Sequence, residues 1–158
     1  MKGKFENHVV FKYIKCMTLK RGHHCVYNTH YHLVFPVKYR KALMGEPIVK
    51  FIKEIAEQIA ERYEVGIDEV GCDINHIHVL CSFHPKYAGG QVVRLFKSIT
   101  AREVFRQFPE VKKDLWGGEF WSDGYYIGTI GERGNLKTLE KYIRKQGEKP
   151  EDVQLRLI

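Results

Sequence analysis

Apolar residues recur at helical spacing from Ile48 to Tyr63, and this helix lies between stretches whose residues favour strands. Pro47 opens the helix, where its missing amide hydrogen is harmless because the first helical amides have no partner within the helix. Elements that each carry one apolar side must bury it against another layer. The helix and its flanking strands therefore restrict the chain to folds in which helices pack on a sheet.

The rest of the chain continues this alternation of helix and strand patterns. The further predicted elements are strands at residues 25–37, 65–73 and 76–83, a helix at 91–107, a strand at 125–130 and a helix that begins near Asn135, a favourable N-cap. The order β-α-β-β-α-β-α predicts an α+β, ferredoxin-like sandwich with an antiparallel sheet and helices on one face. One domain over residues 22–148 holds all these elements, with 1–21 as an N-terminal extension and 149–158 as a tail.

Composition restricts the cellular compartment and the kind of binding partner that we expect for this chain. No stretch approaches the roughly 18–20 apolar residues of a membrane helix, and the N-terminus lacks the apolar segment of a secretory signal, so we expect a cytoplasmic protein. The four cysteines include no Cys-x-x-Cys pair, and we expect reduced thiols. A net charge of +7 favours a polyanionic partner. The basic residues cluster at Lys38, Arg40 and Lys41, at Arg94, Lys97, Arg102 and Arg106, and at Lys137, Lys141, Arg144, Lys145 and Lys149.

His76 and His78 are candidate metal ligands. Alternate side chains of a strand share a face, so these two imidazoles would lie together while Ile77 packs on the other side. Two neutral imidazoles at this spacing can hold one divalent ion. Spacing alone equally allows two polar residues on a half-exposed sheet, and a second such pair, His30 and His32, shows how unspecific the pattern is.

Tyr142 and Gln146 are candidates for chemistry in the last helix. They lie four residues apart and therefore on one helical face, beside the apolar stripe of Leu139 and Ile143. An activated tyrosine hydroxyl can act as a covalent nucleophile, and an amide oxygen could complete a metal site. From spacing alone, Tyr142 could instead widen the stripe and Gln146 could be a solvated surface residue.

Taken in order, several motifs of the chain resemble one family. They are Tyr31-His32-Leu33-Val34-Phe35 with Lys38-Tyr39-Arg40, Asn75-His76-Ile77-His78-Val79-Leu80, Leu95-Phe96-Lys97-Ser98-Ile99-Thr100-Ala101-Arg102, Phe108-Pro109, Trp116-Gly117-Gly118, Phe120-Trp121-Ser122-Asp123-Gly124-Tyr125-Tyr126 and Tyr142-Ile143-Arg144-Lys145-Gln146. The chain resembles the HUH (histidine-hydrophobic-histidine) single-tyrosine transposases of the smallest insertion sequences, including their REP-associated tyrosine transposase relatives. The resemblance covers roughly residues 22–146. Each motif is weak by itself, and their combination is specific.

The resemblance implies that His76 and His78 bind the metal, that Gln146 adds a third ligand and that Tyr142 is the nucleophile. The metal would be Mg²⁺ or Mn²⁺. The implied activity is cleavage and rejoining of single-stranded DNA at element ends through a 5′-phosphotyrosine link, without ATP. His32 matches a recurring family position but is not one of the two metal-binding histidines.

The same resemblance implies single-stranded DNA with subterminal hairpins as the partner. It also implies a homodimer whose active sites are composed in trans, with glycines before the last helix (Gly128, Gly131 and Gly134) as a hinge; tight turns are the alternative. Candidate DNA contacts are Lys38, Arg40, Arg94, Lys97 and Arg102, whose alternative is a solvated surface.

Some features depart from the family pattern, and other functions stay open. Asn75 stands where an acidic residue often precedes the first histidine, and residues 96–99 replace a Leu-Lys-Gly-like pattern. One rival function is a non-catalytic module that binds single-stranded nucleic acid through aromatics on its central strands. Another is a metal-dependent regulator in which Cys72 joins the two histidines around zinc. A domesticated relative acting on chromosomal hairpins would carry the same motifs as a mobile-element enzyme.

Overall fold

The computed structural model describes residues 19–131 and 135–147. Its strands are β1 (Lys20–Arg21), β2 (Val26–Tyr27), β3 (His30–Pro36), β4 (Gly66–Asp73), β5 (His76–Ser82) and β6 (Tyr126–Ile130). Its helices are α1 (Glu46–Tyr63), α2 (Gly89–Gln107), α3 (Pro109–Asp114) and α4 (Leu136–Arg144). The predicted α+β class is confirmed.

Four strands form one sheet in the order β4-β5-β3-β6, and every neighbouring pair is antiparallel. β4 and β5 form the predicted hairpin, whose turn is fastened by the Ile74 amide donating to Asp73 Oδ1 at 2.7 Å. The predicted strand at residues 25–37 is divided in two. Its first part, β2, pairs with β1 in a separate two-stranded ribbon, and only β3 enters the main sheet.

The core lies between one face of this sheet and helices α1 and α2. Alternate residues of β3 and β5 point into it, among them Leu33, Phe35, Ile77 and Val79, each with no exposed surface. The helices contribute Ile48, Ile52, Ile55, Ile59, Val92, Val93 and Phe96. The period-2 pattern of the strands thus leaves the other side chains of β3 and β5 on the opposite face of the sheet.

Helix α4 packs on that opposite face, mainly across β4. Ile143 is fully buried there, whereas most residues around it are exposed or half-buried. Two layers of helix therefore enclose part of the sheet. The predicted layer of helices on one face is formed by α1 and α2, and the predicted C-terminal helix covers the other face.

The remaining sequence predictions concern helix ends, the two chain termini, the cysteines and membrane helices. The helix predicted at residues 91–107 begins two residues earlier, at Gly89, and ends at Gln107 as predicted, and Pro109 then opens α3. The predicted extension and tail lie mostly in residues 1–18 and 148–158, outside the described residues, but Lys20 and Arg21 already form β1. Cys25, Cys72 and Cys81 are free thiols. Within the described ranges, no helix is long and apolar enough to cross a membrane.

Candidate active site

Three histidines meet on the face of the sheet that α4 partly covers. His76 and His78 are alternate residues of β5, and their ring centroids are 4.9 Å apart. His32 of β3 lies beside them, with its Nε2 2.9 Å from Nδ1 of His78. Both members of one His-x-His pair and one member of the other therefore belong to the same cluster. His30 is directed elsewhere, with its Nδ1 3.0 Å from the carboxylate of Asp68.

The neighbour of His76 determines which of its ring nitrogens is protonated. Nδ1 of His76 lies 2.7 Å from the amide oxygen of Asn75, and an oxygen of this kind can only accept a hydrogen bond. His76 therefore donates through Nδ1, which leaves the lone pair of a neutral ring on Nε2. Asn75 thus supplies the acceptor that a carboxylate would supply at this position.

His78 is the most deeply buried member of the cluster, with 1% of its surface exposed. Burial, and next the charges of His76 and His32, lower the pKa of His78 to about 3. Burial also lowers the pKa values of His76 and His32. Among the described residues, Nε2 of His78 is the one buried side-chain nitrogen or oxygen without a hydrogen-bond partner. A neutral imidazole with an unused nitrogen is suited to bind a metal.

The donor set fits a divalent ion with mixed nitrogen and oxygen ligands. His76 and His78 offer two ring nitrogens, but the described residues contain no group of three His, Cys, Asp or Glu side chains that could hold a metal. The remaining ligands would therefore be oxygens of other kinds, such as an amide, water or phosphate. Gln146 is half-buried beside its own helix, where its amide nitrogen lies 3.4 Å from the Tyr142 carbonyl.

Helix α4 brings Tyr142 to the histidines of the same chain. Asn135 caps the helix as predicted, accepting a hydrogen bond from the Thr138 amide at 3.0 Å. Arg144 pairs with Glu69 of β4 at 3.1 Å. The Tyr142 ring then lies edge-to-face with the His78 ring, with centroids 5.9 Å apart.

Two residues of this face escaped the sequence analysis. Gly71 lies under α4, where a Cβ atom would overlap the carbonyl oxygen of Ile143, so only glycine permits this close approach. Tyr126 of β6 is 42% exposed, and its ring centroid lies 5.9 Å from that of His32. The alternation of β6 could have indicated Tyr126, but the register that brings it to His32 is not visible in the sequence.

Two of the predicted DNA contacts follow β3 at the His76 end of the site. Arg40 is exposed, and its positive charge lies close enough to contribute, after burial, to the lowered pKa of His76. The ammonium of Lys38 is 2.5 Å from a carboxylate oxygen of Glu119 and 3.5 Å from one of Asp123. Of these two cations, Arg40 is therefore the one whose charge acts on His76, whereas Lys38 is paired with two carboxylates.

The other three predicted contacts lie on α2, behind the opposite face of the sheet. Arg94 and Arg102 are exposed there. The ammonium of Lys97 donates to the backbone carbonyls of Ser122, Asp123 and Gly124 at 2.8, 3.1 and 3.0 Å. All three of its hydrogens are thus engaged within the protein, where they fasten the loop before β6 to α2.

Cys72 does not join the histidine cluster. It pairs with Ile77 in the β4–β5 ladder, lies on the core face, and has its pKa raised to about 12 by burial. A zinc site that combines Cys72 with His76 and His78 is therefore wrong. On the face that carries His76 and His78, the central strands β3 and β5 present histidines rather than Phe, Tyr or Trp side chains, which disfavours the aromatic binding module.

The low pKa of His78 predicts acid sensitivity of the metal-free protein. Unfolded chains take up the His78 proton below pH 6.5, but the folded chain takes it up only near pH 3, so stability is present above pH 6.5 and lost as the pH falls. We expect His78 alone to lower the free energy of unfolding by about 2 kcal/mol between pH 7 and pH 5. Urea titrations with a chelator would measure this loss. His78→Gln should show a smaller loss, and an equal loss in both proteins would contradict the prediction.

Comparison with known proteins identifies the family. The family model described as "Transposase IS200 like" matches residues 25–146. The ISDra2 transposase TnpA of Deinococcus radiodurans is 32% identical over 133 residues, which cover 84% of this chain and 94% of that protein. The transposase for insertion sequence element IS200 of Salmonella typhimurium is 32% identical over 126 residues, covering 79% and 81%. The chain therefore belongs to the IS200-like transposase family, and its class of activity is DNA transposition.

Solved structures agree with the fold. A crystal structure of a Deinococcus radiodurans transposase matches with a TM-score of 0.66 and 27% identity, over 82% of this chain and 98% of that one. A REP-associated tyrosine transposase bound to a REP hairpin matches with a TM-score of 0.54 over 80% of this chain and 70% of that one. At 9% identity, the second likeness shows a shared fold alone.

Proposed function

We propose that this transposase cuts and rejoins single-stranded DNA at element ends, with Tyr142 as the nucleophile. The observation that carries the proposal is the meeting of His76, His78 and Tyr142 on one face of the sheet. Burial lowers the pKa of both imidazoles, which favours their neutral forms. Among the described residues, Nε2 of His78 has no hydrogen-bond partner, and His76 bonds to Asn75 through Nδ1. The tyrosine ring contacts one of them.

The reaction is a phosphoryl transfer to the tyrosine. The Tyr142 oxygen forms a bond to the scissile phosphorus, and the bond from phosphorus to the 3′ oxygen breaks. The phenolic proton is released, and the 3′ oxygen leaves as a hydroxyl, so the 5′ end stays attached to Tyr142. The 3′ hydroxyl of another strand can reverse this step, and the energy of the phosphate ester is conserved without ATP.

The residues around the tyrosine would position the phosphate. His76, His78 and Gln146 would hold a divalent ion, Mg²⁺ or Mn²⁺, which supplies charge neutralisation at the scissile phosphate when bound. Arg40, at the His76 end of the site, would contact a neighbouring phosphate. Its guanidinium can pair with phosphate oxygens through two hydrogen bonds.

We propose a subterminal hairpin as the substrate, and a single strand at the scissile phosphate. A phosphate in an unpaired strand can approach the histidines beside α4 more easily than one in a duplex. The basic clusters favour such a strand. The hairpin in the distant relative with the same fold agrees with this choice of substrate but belongs to that protein.

The direct test uses a labelled hairpin oligonucleotide with a single-stranded flank. We expect a denaturation-resistant protein–DNA band that needs Mg²⁺ or Mn²⁺ and that the matching duplex does not give. Binding without any covalent band, under conditions in which the protein is folded and metal is present, would instead favour a non-catalytic binding module.

We further propose a homodimer with sites composed in trans in at least one state. The alternative is a site composed in cis, because the Tyr142 ring lies beside the His78 ring of the same chain. Only five residues, 131–135, join β6 to α4; Gly131 among them is exposed and unhindered, and Gly134 lies outside the described residues. Mixing His76→Ala with Tyr142→Phe subunits decides between the arrangements. If the mixed dimer regains cleavage activity, the sites are composed in trans. If a confirmed mixed dimer remains inactive, the sites are composed in cis.

A further inference from the structure

Two exposed aromatic rings lie parallel to each other beyond the end of β3 that pairs with His76. Trp116 is 85% exposed and Tyr39 is 50% exposed. Their planes differ by 5° and their centroids are 6.0 Å apart. Neither ring belongs to the hydrophobic core. Single exposed apolar residues are ordinary on proteins, but an ordered pair of exposed rings is a surface feature typical of binding sites.

The backbone that carries the Tyr39 ring has an unfavourable conformation. Tyr39 and Arg40 have φ angles of 59° and 53°, in the left-handed region that residues other than glycine rarely adopt. The turn is tied to the loop that carries Trp116, because the Lys38 amide donates to the Phe120 carbonyl at 2.8 Å. Strained conformations of this kind persist where surrounding structure maintains them and are frequent at functional sites.

The pair lies at the His76 end of the active site. Pro36, at the end of β3, pairs with His76, and Tyr39 follows three residues later. The charge of Arg40 acts on His76. On the other side, Trp116 follows α3, which carries the exposed basic residues Lys112 and Lys113. An aromatic pair is thus flanked by cations next to the place where the scissile phosphate would lie.

We propose that Tyr39 and Trp116 form a stacking platform for an unpaired nucleobase next to the scissile phosphate. The proposal rests on the function above, since it places a single DNA strand at His76. Aromatic rings stack on any base, and the flanking cations match the charge of the strand. A protein partner or a second copy of this basic chain would match the positive charges of Arg40, Lys112 and Lys113 less well than a DNA strand does.

Binding of a labelled single-stranded hairpin, measured by fluorescence anisotropy, tests the platform. Tyr142→Phe protein with a chelator serves as the parent, so that no cleavage interferes. We expect Trp116→Ala in this parent to weaken binding about 10-fold, and Tyr39→Ala to act in the same direction. Tyr87→Ala is the matched control, because Tyr87 is 36% exposed under the Lys86 ammonium but lies beyond the other end of β5.

An abasic scan of the oligonucleotide identifies the stacked base. One abasic position next to the scissile phosphate should weaken binding to the parent protein about 10-fold but leave binding to Trp116→Ala unchanged. Equal binding by Trp116→Ala and Tyr87→Ala would overturn the platform, as would loss of dimer on sedimentation with unchanged DNA affinity. Failure of the function would appear separately, as absence of cleavage by wild-type protein that still discriminates the abasic position.

A separate observation concerns His32, whose Nε2 lies 2.9 Å from Nδ1 of His78. Either nitrogen could donate. If His32 donated, neutral His78 would carry its hydrogen on Nε2, as a buried N–H without an acceptor among the described residues. If His78 donates, its Nε2 keeps the lone pair that a metal needs. We infer that His32 is a positioning residue that accepts this hydrogen bond and so fixes the metal-binding tautomer of His78.

Nitrogen-15 NMR of histidine-labelled, metal-free protein reads the His78 tautomer directly. We expect Nδ1 of His78 to carry the hydrogen in wild type and in His32→Gln, because the glutamine amide oxygen can accept it. In His32→Leu this tautomer should no longer be the sole form. Mn²⁺ affinity, followed by electron paramagnetic resonance, should fall about 10-fold or more in His32→Leu and recover in His32→Gln. His30→Gln, on the same strand, is the control.

A hydrogen on Nε2 of His78 in the folded wild-type protein would overturn this inference. So would equal Mn²⁺ affinity of His32→Leu and wild type. Absence of Mn²⁺ binding by wild type would contradict the proposed metal site instead, and the NMR result would still decide the role of His32.

Discussion

Tyr142→Phe is expected to abolish covalent attachment to DNA, with a fall of at least about 1000-fold in the rate of cleavage, because it removes the proposed nucleophile. The fold should be unaffected, since the ring contact with His78 needs no hydroxyl. Radiolabelled single-stranded hairpin DNA and denaturing gels would measure both the cut strand and the protein-linked strand. Binding to uncut DNA should remain.

Tyr126→Phe is the sharpest control for this experiment. Tyr126 lies on the same face of the sheet, is 42% exposed, and has its ring 5.9 Å from that of His32. Among the described residues, it is therefore a second tyrosine that the fold places near the histidines. We expect Tyr126→Phe to cleave at close to the wild-type rate. The reverse result, with Tyr142→Phe active and Tyr126→Phe inactive, would mean that the nucleophile lies on β6 and not on α4.

Gly71→Ala should also have a large effect, although Gly71 has no side chain to contribute. An alanine Cβ would overlap the Ile143 carbonyl oxygen, so α4 could not stay in place on β4. The core on the other side of the sheet would be untouched. We expect cleavage to fall at least about 100-fold while the chain stays folded, because misplacement of reacting groups by about 1 Å can already cost that much.

Gly124→Ala is the matched control, since a Cβ at this position would meet no atom within 4 Å. Cleavage assays should be paired with circular dichroism and limited proteolysis, which should report a folded sheet and a more accessible α4 in Gly71→Ala. Normal cleavage by Gly71→Ala would show that α4 need not dock on β4 for catalysis. Global unfolding would show that the helix contributes more to stability than its position outside the core suggests.

Local patterns in the sequence predict most of the fold. The helical stripe from Ile48 to Tyr63 and the period-2 alternation of β5 follow from which side chains must be buried, and both elements form as expected. The same alternation correctly places His76 and His78 on one side and Ile77 on the other. These features depend on neighbours along the chain, which a single sequence shows.

Contacts between distant segments could not be predicted in this way. The approach of His32 to His78 depends on the register of β3 against β5, and the packing of α4 depends on Gly71. Lys97 is a second example of a contact that the sequence does not reveal. In the sequence it is a cation on a helix, whereas the fold brings three carbonyls of a loop about 25 residues later to its ammonium. Charge alone does not indicate which cations the protein itself uses.

The most direct measurement of the central claim is to locate the covalent bond between protein and DNA. Wild-type protein would be incubated with a single-stranded hairpin oligonucleotide and Mg²⁺, digested with protease and nuclease, and analysed by mass spectrometry. We expect one modified peptide, with a 5′-phosphate joined to Tyr142. A bond to Tyr126 or any other residue, a 3′-linked phosphate, or cut DNA with no modified peptide would contradict it.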